Sequence, residues 1–197
     1  MDYPPVHTAH LQQIRQLNEL FLNLVTHPGP QGTFAGLPAG AGGLLAEYGT
    51  VEQDELAALP RALFQIHLEQ APARPVTHQG VSSAVRAFTL TALLVAFNIV
   101  HESKFAARVL FKGSWSALDL LGRCQLGDLI DYSARRGLIT CPLLKGHTPA
   151  SRFLSSPRQG NGGLSRDALI ALAQSQSPVC SAALESLQPD PAMVRVN

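Results

Sequence analysis

The sequence predicts an all-α protein, a compact multi-helix domain in which two similar helical units surround a central buried helix. The run from Ala87 to Val100 has no charged residue, and its polar residues are Thr89, Thr91 and Asn98. A helix that is apolar on nearly every side prefers the interior, because none of its faces favours water. Elsewhere, apolar residues recur at spacings of three and four, the pattern of helices with one apolar face. Hydrophobic residues form 46% of the 197, which is enough for one core.

The first unit, about residues 8–70, is predicted to contain a long helix, a short helix from Leu44 to Tyr48, a second helix after the glycine break at Gly49, and an extended exit. Apolar spacing indicates a helix from Thr8 to about Thr26, which the prolines and glycine that follow bring to an end. Thr50, with Gln53 three residues later, has the pattern of a capping box and begins the second helix. Residues 63–68 alternate apolar and polar side chains, as a short strand does.

The second unit, about residues 82–145, begins with the central helix. Its apolar run of about 14 residues is shorter than the roughly 18 to 20 that cross a bilayer, which favours a buried helix in a soluble domain. A break is expected near residues 101–103. A second helical piece then starts at Lys104, and Gly113 ends it.

Shorter helices are expected after Gly113. Ser114 caps one that ends at Gly122, and another runs from Leu126 to Arg136. The apolar residues of the latter are expected to face inward: Leu126, Leu129, Ile130 and Tyr132. Residues 138–144 then leave in extended form. Residues 1–145 are predicted to form a single domain, and residues 146–197 a C-terminal extension with one or two short helices.

The two units resemble each other in the order of their elements. Each has a long apolar helix, a connection, a short helix, a glycine break, a second helix and an extended apolar exit. A unit of this kind cannot bury its apolar face alone, so pairing the two makes one core and an intramolecular pseudo-dimer. Chance similarity between two helical segments is the alternative.

Charge is distributed unevenly along the chain. Residues 1–70 carry two basic residues against seven acidic ones, and residues 101–160 carry nine basic against four acidic. A helix, a tight turn and a second helix also build DNA-reading modules. The candidate nucleic-acid-binding residues are the basic ones around the helix that starts at Leu126: Lys112, Arg123, Arg135, Arg136 and Lys145. Because Asp128 and Asp131 on that helix would repel phosphates, a packing corner between helices is the alternative.

A resemblance to a known family rests on three segments, Ala106–Gly113, Leu126–Ala134 and Leu138–Cys141. They are similar to FlhD, the small all-helical subunit of the bacterial flagellar transcription activator. In that family a long amphipathic helix leads into a glycine turn, two short helices and an apolar exit with cysteine. The helix from Leu11 to Thr26 also resembles the family's opening helix. The resemblance implies a helical, dimer-like core and a regulatory role in transcription through a partner subunit.

An adaptor, scaffold or chaperone-like protein with no nucleic-acid role is the alternative function, favoured by the low content of charged residues, 15%. An enzyme is not expected, because the sequence has no Gly-x-Ser-x-Gly, His-Glu-x-x-His or paired-carboxylate motif. His101 and Glu102, which follow the central helix, are the candidates for acid–base chemistry if the protein is an enzyme. Trp115, the lone tryptophan, is expected to pack in the core or at an interface.

No metal or cofactor is expected. A zinc site formed by Cys124, Cys141 and His147 is disfavoured, because no Cys-x-x-Cys pair supports it. An odd number of cysteines and a start without a signal-peptide pattern indicate the cytoplasm. The expected partner is another protein subunit or a second copy of the chain, with DNA as a further candidate and no membrane.

Overall fold

A computed structural model describes residues 6–27, 34, 46, 49–68 and 81–141. Lys145, the predicted domain boundary beside it and the predicted C-terminal extension lie outside these residues. Most of the described residues are helical, in agreement with the predicted all-α class. The helices are α1 (Thr8–Thr26), α2 (Thr50–Ala57), α3 (Ser83–Glu102), α4 (Lys104–Phe111), α5 (Trp115–Leu121) and α6 (Leu126–Ser133), and the strands are β1 (Gln65–Ile66) and β2 (Ile139–Thr140).

Among the described residues, other helices cover one face of the central helix α3. It packs against α1, α4, α5 and α6 through a stripe of mostly small and branched residues: Phe88, Thr89, Ala92, Leu93, Ala96, Ile99 and Val100. Ala87, Thr91 and Asn98 are exposed, and Leu90 and Leu94 are half-buried. The expectation of burial on every side is therefore wrong. Hydropathy alone does not distinguish a helix wrapped by neighbours from one that a single layer of helices covers.

The same helix has the length and composition of a membrane span. Ser83–Glu102 contains an 18-residue window with a mean hydropathy of 1.7, of which 39% is buried inside the protein. Core helices of soluble proteins satisfy the same criterion. Within the described part of the chain, α3 contacts four other helices through its most buried stripe.

Ser114 begins α5 as predicted, and Ser103, within the predicted break near residues 101–103, begins α4. Ser103 has an extended backbone, which separates α3 from α4. Its Oγ accepts a hydrogen bond from the backbone N–H of Ala106 at 3.1 Å. Ser114 caps α5 in the same way through Ala117. The capping box expected at Thr50 is not formed. Gly49 occupies the cap position in extended conformation, so that Thr50 is already the first helical residue.

Helix α6 is shorter than predicted and turns part of its apolar surface outward. It ends at Ser133 instead of Arg136. Leu129 and Tyr132 are buried as expected, whereas the prediction that Leu126 and Ile130 face inward is wrong, because these side chains are 62% and 38% exposed. A helix of eight residues buries a single stripe, and Leu126 and Ile130, one turn apart, lie beside that stripe.

The two extended exits, which the sequence predicts separately, pair with each other. β1 and β2 are antiparallel, with Gln65 opposite Thr140 and Ile66 opposite Ile139. The backbone N–H of His67 donates to the carbonyl of Leu138 at 2.8 Å. The N-terminal and C-terminal parts of the described domain are thus joined by backbone hydrogen bonds as well as by side-chain packing.

One apolar core runs through the described helices. At its centre the rings of Phe21, Phe34, Phe64 and Phe88 form a cluster with five pairwise contacts, at centroid separations between 5.1 and 5.8 Å. These separations are typical of aromatic pairs. Because the four residues come from α1, the loop after it, the segment before β1 and α3, the cluster holds distant parts of the sequence together.

Candidate functional site

The outward face of α6 is apolar and acidic. Leu126 and Ile130 are exposed one turn apart, and Asp131 is exposed beside them. Asp128 caps the start of its own helix, because its carboxylate accepts a hydrogen bond from the backbone N–H of Gln125 at 2.7 Å. An acidic side chain at a helix start occupies the place that a phosphate could otherwise take. The helix that the sequence favours for reading DNA thus offers apolar contact area and carboxylates.

Arg135 folds back onto its own helix. Its guanidinium lies 4.0 Å from the ring centroid of Tyr132, a cation–π arrangement, and the residue is half-buried. Burial raises the pKa of Tyr132, and the charge of Cys124 adds to that rise while Arg135 opposes it. Burial, reinforced by the charge of Asp128, also raises the pKa of the Cys124 thiol. Arg135 therefore contributes to packing around Tyr132 and is partly withdrawn from the surface.

Arg123 and Arg136 are exposed on either side of α6. Asp119 lies within the field of Arg123, but its direct partner is Lys104, whose ammonium is 2.7 Å from the carboxylate. The Lys104 hydrogen bond and charge lower the pKa of Asp119, with a smaller contribution from Arg123. These two arginines keep their charges at the surface. A contact with nucleic acid remains a prediction for them, and Lys145 lies outside the described residues.

Lys112, the first of the predicted basic residues, follows the last residue of α4 and is half-buried. Burial, reinforced by the charge of Arg61 in the segment after α2, lowers the pKa of Lys112 to about 8. The sequence did not single out Arg61, because no spacing rule relates two positions that are about 50 residues apart.

We expect Lys112 to react with an acetylating reagent at pH 8 about tenfold faster than Lys104. At a pKa of about 8 roughly half of its amine is neutral at that pH, whereas an ordinary lysine is almost fully protonated. Peptide mass spectrometry across pH 7 to 10 measures both sites, and urea-unfolded chain is the control in which the difference disappears. Equal rates in the folded chain would contradict the lowered pKa.

The lowered pKa of Lys112 also determines whether the free energy of unfolding rises or falls with pH. The folded chain releases the Lys112 proton near pH 8, whereas the unfolded chain keeps it until about pH 10.5. Across that window the unfolded state binds more protons, so the contribution of Lys112 to the free energy of unfolding increases as the pH rises.

An exposed aromatic–cation pair also went unrecognised in the sequence. Trp115, which opens α5, is 48% exposed, and the Arg108 guanidinium lies 4.5 Å from its ring centroid. Trp115 therefore does not pack in the core, and the other alternative, packing at an interface, stays a prediction. Tryptophan and arginine are enriched where protein interfaces form, but no periodic pattern in the sequence links these two positions.

The residues considered for acid–base chemistry do not converge. Nδ1 of His101 hydrogen-bonds the carbonyl of Phe97 in its own helix at 2.9 Å. Glu102 contacts Nε2 of the buried His10 at 2.7 Å, which links the end of α3 to the start of α1. In the described part of the chain no three His, Cys, Asp or Glu side chains are grouped to hold a metal ion.

The chain was compared with protein-family models, with curated proteins and with solved structures. None of the three comparisons finds a match to it.

Proposed function

We propose that this chain is a non-enzymatic regulatory protein of the FlhD type, which acts in transcription by binding a partner subunit. The observation that carries the proposal is the outward pair Leu126 and Ile130 on α6, 62% and 38% exposed. Exposed leucine and isoleucine one turn apart match the spacing by which helices contact apolar partner surfaces. The partner's matching surface is apolar at its centre, with basic groups that can meet Asp131.

Direct DNA binding is the weaker part of the proposal. Asp128 already caps α6, Asp131 adds negative charge to its outward face, and Arg135 stacks on Tyr132. Arg123 and Arg136 are the exposed cations on either side of the helix, and so small a number of cations gives weak, salt-dependent binding. We therefore place any DNA contact at the edge of a complex whose affinity comes mainly from the partner protein.

We further propose that the two halves of the domain are related units arranged as an intramolecular pseudo-dimer. Antiparallel pairing of β1 with β2 supports this, since each strand is the exit of one unit. Two more contacts join the units: the Ala62 N–H donates to the Leu110 carbonyl at 2.9 Å, and the Cys141 thiol donates to the Leu63 carbonyl at 3.4 Å. A pseudo-dimer built this way has no need of a second chain to complete its core.

The test is a gel-shift assay at low salt with duplex DNA, using the full chain alone and with a bacterial extract that contains the partner. We expect the chain alone to give little retardation and the mixture to give a slower complex. The double variant Leu126→Glu and Ile130→Glu should lose that complex while keeping its thermal stability within about 0.5 kcal/mol, because the changes lie at the surface.

Val51→Glu is the matched control, since Val51 is a 63% exposed apolar residue on α2, a helix that the proposal does not involve. It should leave the complex intact. If the double variant forms the complex as well as the wild type, or if neither DNA nor protein is retained under any condition, the proposal fails.

An adaptor or chaperone-like role without nucleic acid is the second candidate. The half-buried apolar side of α3, with Leu90 and Leu94, favours it, because a homo-oligomer or client could cover that side. Size-exclusion chromatography with light scattering separates the two. A stable, salt-insensitive oligomer that ignores DNA supports the scaffold function, and we propose the cytoplasm as the location in either case.

A further inference from the structure

The surface where α4 meets α5 presents an aromatic ring and a positive charge to solvent. The guanidinium of Arg108 lies 4.5 Å from the ring centroid of Trp115. One turn away on both helices, the Lys104 ammonium contacts the Asp119 carboxylate at 2.7 Å. Residues four positions apart share one face of a helix, so the four side chains line a single surface. We call these four residues the α4–α5 edge.

This edge offers apolar area together with one cation that is not neutralised. Trp115 is 48% exposed, and no other phenylalanine, tyrosine or tryptophan among the described residues is exposed. The charges of Lys104 and Asp119 offset each other, whereas Arg108 has no carboxylate partner in the described part of the chain. Tryptophan and arginine are the residue types that most often carry the binding energy of protein interfaces.

The outward face of α6 has the complementary character. Leu126 and Ile130 are exposed apolar side chains one turn apart, and Asp131 adds an exposed carboxylate beside them. Apolar side chains and a carboxylate on one surface match an indole and a guanidinium on the other, in hydrophobicity and in charge. Because each surface is exposed within the same folded domain, a second copy of the chain is what brings them together.

We propose that the α4–α5 edge of one copy of this chain binds the outward face of α6 of a second copy. Leu126 and Ile130 cover the exposed part of the indole. The carboxylate of Asp131 accepts hydrogen bonds in the plane of the Arg108 guanidinium, which remains stacked on the ring. A contact of this size with a charged pair at its rim is weak and sensitive to salt.

A single-stranded nucleic acid fits the same edge less well. Proteins that bind such strands stack successive bases on aromatic rings along a positively charged groove. The described residues supply one exposed ring, and Asp119 places a carboxylate one turn further along α5. Charge and ring number therefore favour the α6 face of a second copy.

The inference rests on the α6 face that the proposed function also uses, but it requires neither a partner subunit nor DNA. Since one face cannot contact both at once, self-association and partner binding compete. A chain that stays monomeric overturns this inference and leaves the proposed function standing. A gel-shift complex that survives the α6 variants has the opposite consequence, because the proposed function then fails while self-association of the purified chain is unaffected.

The experiment is sedimentation velocity of the purified full chain over a range of concentrations, at low and at high salt. We expect reversible self-association with a dissociation constant on the order of 0.1 mM at low salt, weakened about fivefold at high salt. Trp115, the lone tryptophan, reports the contact directly. Its fluorescence emission should move to shorter wavelength as the chain associates. Dimers arise if the contact is reciprocal and longer assemblies if it is not, and both support the proposal.

Charge exchange identifies the two surfaces. Arg108→Glu and Asp131→Arg each bring like charges together at the contact, so either variant alone should associate about tenfold more weakly than the wild type. An equimolar mixture of the two variants should recover the wild-type affinity, because every contact between unlike copies then joins opposite charges. Trp115→Ala should weaken association without changing the charges at the contact.

Leu20→Glu is the matched control, because Leu20 is a 47% exposed apolar residue of α1 that belongs to neither surface. It should associate as the wild type does. All variants should melt within about 3 °C of the wild type, since the changes lie at the surface. The proposal is overturned by a wild-type chain that is monomeric at every concentration, or by a mixture of charge variants that associates no better than either alone. Quenching of Trp115 by an oligothymidine in a chain that does not self-associate would also overturn it.

Discussion

Replacing Asn18 with leucine is expected to lower the free energy of unfolding by about 4 kcal/mol. Asn18 is fully buried in α1 and binds the chain after α2 at four points. Its Nδ2 donates to the carbonyls of Ala57, Leu59 and Arg61 at 3.2, 3.5 and 2.9 Å, and its Oδ1 accepts from the N–H of Leu63 at 2.9 Å. Leucine has a similar volume but leaves these backbone groups buried without partners, which is the costly case.

Asn23 supplies the matched control, because it lies on the exposed face of the same helix. Asn23→Leu should change the free energy of unfolding by no more than about 0.5 kcal/mol. Urea unfolding followed by circular dichroism measures both variants. If Asn18→Leu costs no more than Asn23→Leu, the four hydrogen bonds do not hold α1 to the segment between α2 and β1.

Local signals in the sequence were sufficient for most of the helix boundaries. Ser103 and Ser114 begin α4 and α5 because each hydroxyl accepts an N–H three residues ahead, which is a property of adjacent residues. The apolar stripe of α1 and the uncharged apolar run of α3 could likewise be predicted, from helical spacing and from hydropathy. At α2, by contrast, Gly49 takes the cap position predicted for Thr50, in extended conformation and without a side-chain hydrogen bond.

The features that depend on distant residues could not be predicted. Asn18 sits in an amphipathic stripe with no sign that its amide serves backbone groups about 40 positions away. Leu126 and Ile130 face outward because another stripe of α6 packs against α3. In a helix of eight residues, the spacing of the apolar side chains is not enough to predict which stripe is buried. Lys112 was singled out for its charge, but its lowered pKa depends on burial and on the charge of Arg61, which the tertiary structure determines.

Phe64→Ala is expected to be the most destabilising truncation in the core, at about 4 kcal/mol. Phe64 is 1% exposed, and its ring contacts those of Phe21, Phe88 and Phe111 at centroid distances of 5.4, 5.1 and 6.2 Å. One side chain therefore joins α1, α3 and α4. Removing it leaves a cavity bounded by three rings that cannot collapse together, because each is fixed on a different helix.

Phe97→Ala tests whether the loss belongs to this position or to any phenylalanine. Phe97 is half-buried on α3, outside the aromatic cluster, and its ring centroid lies 4.2 Å from that of His101. Its truncation to alanine should lower the free energy of unfolding by about 1 kcal/mol. Phe64→Leu should fall between the two, because leucine fills part of the cavity. Comparable losses for Phe64→Ala and Phe97→Ala would mean that the core relaxes around the missing ring. The three helices would then be held together by contacts other than the Phe64 side chain.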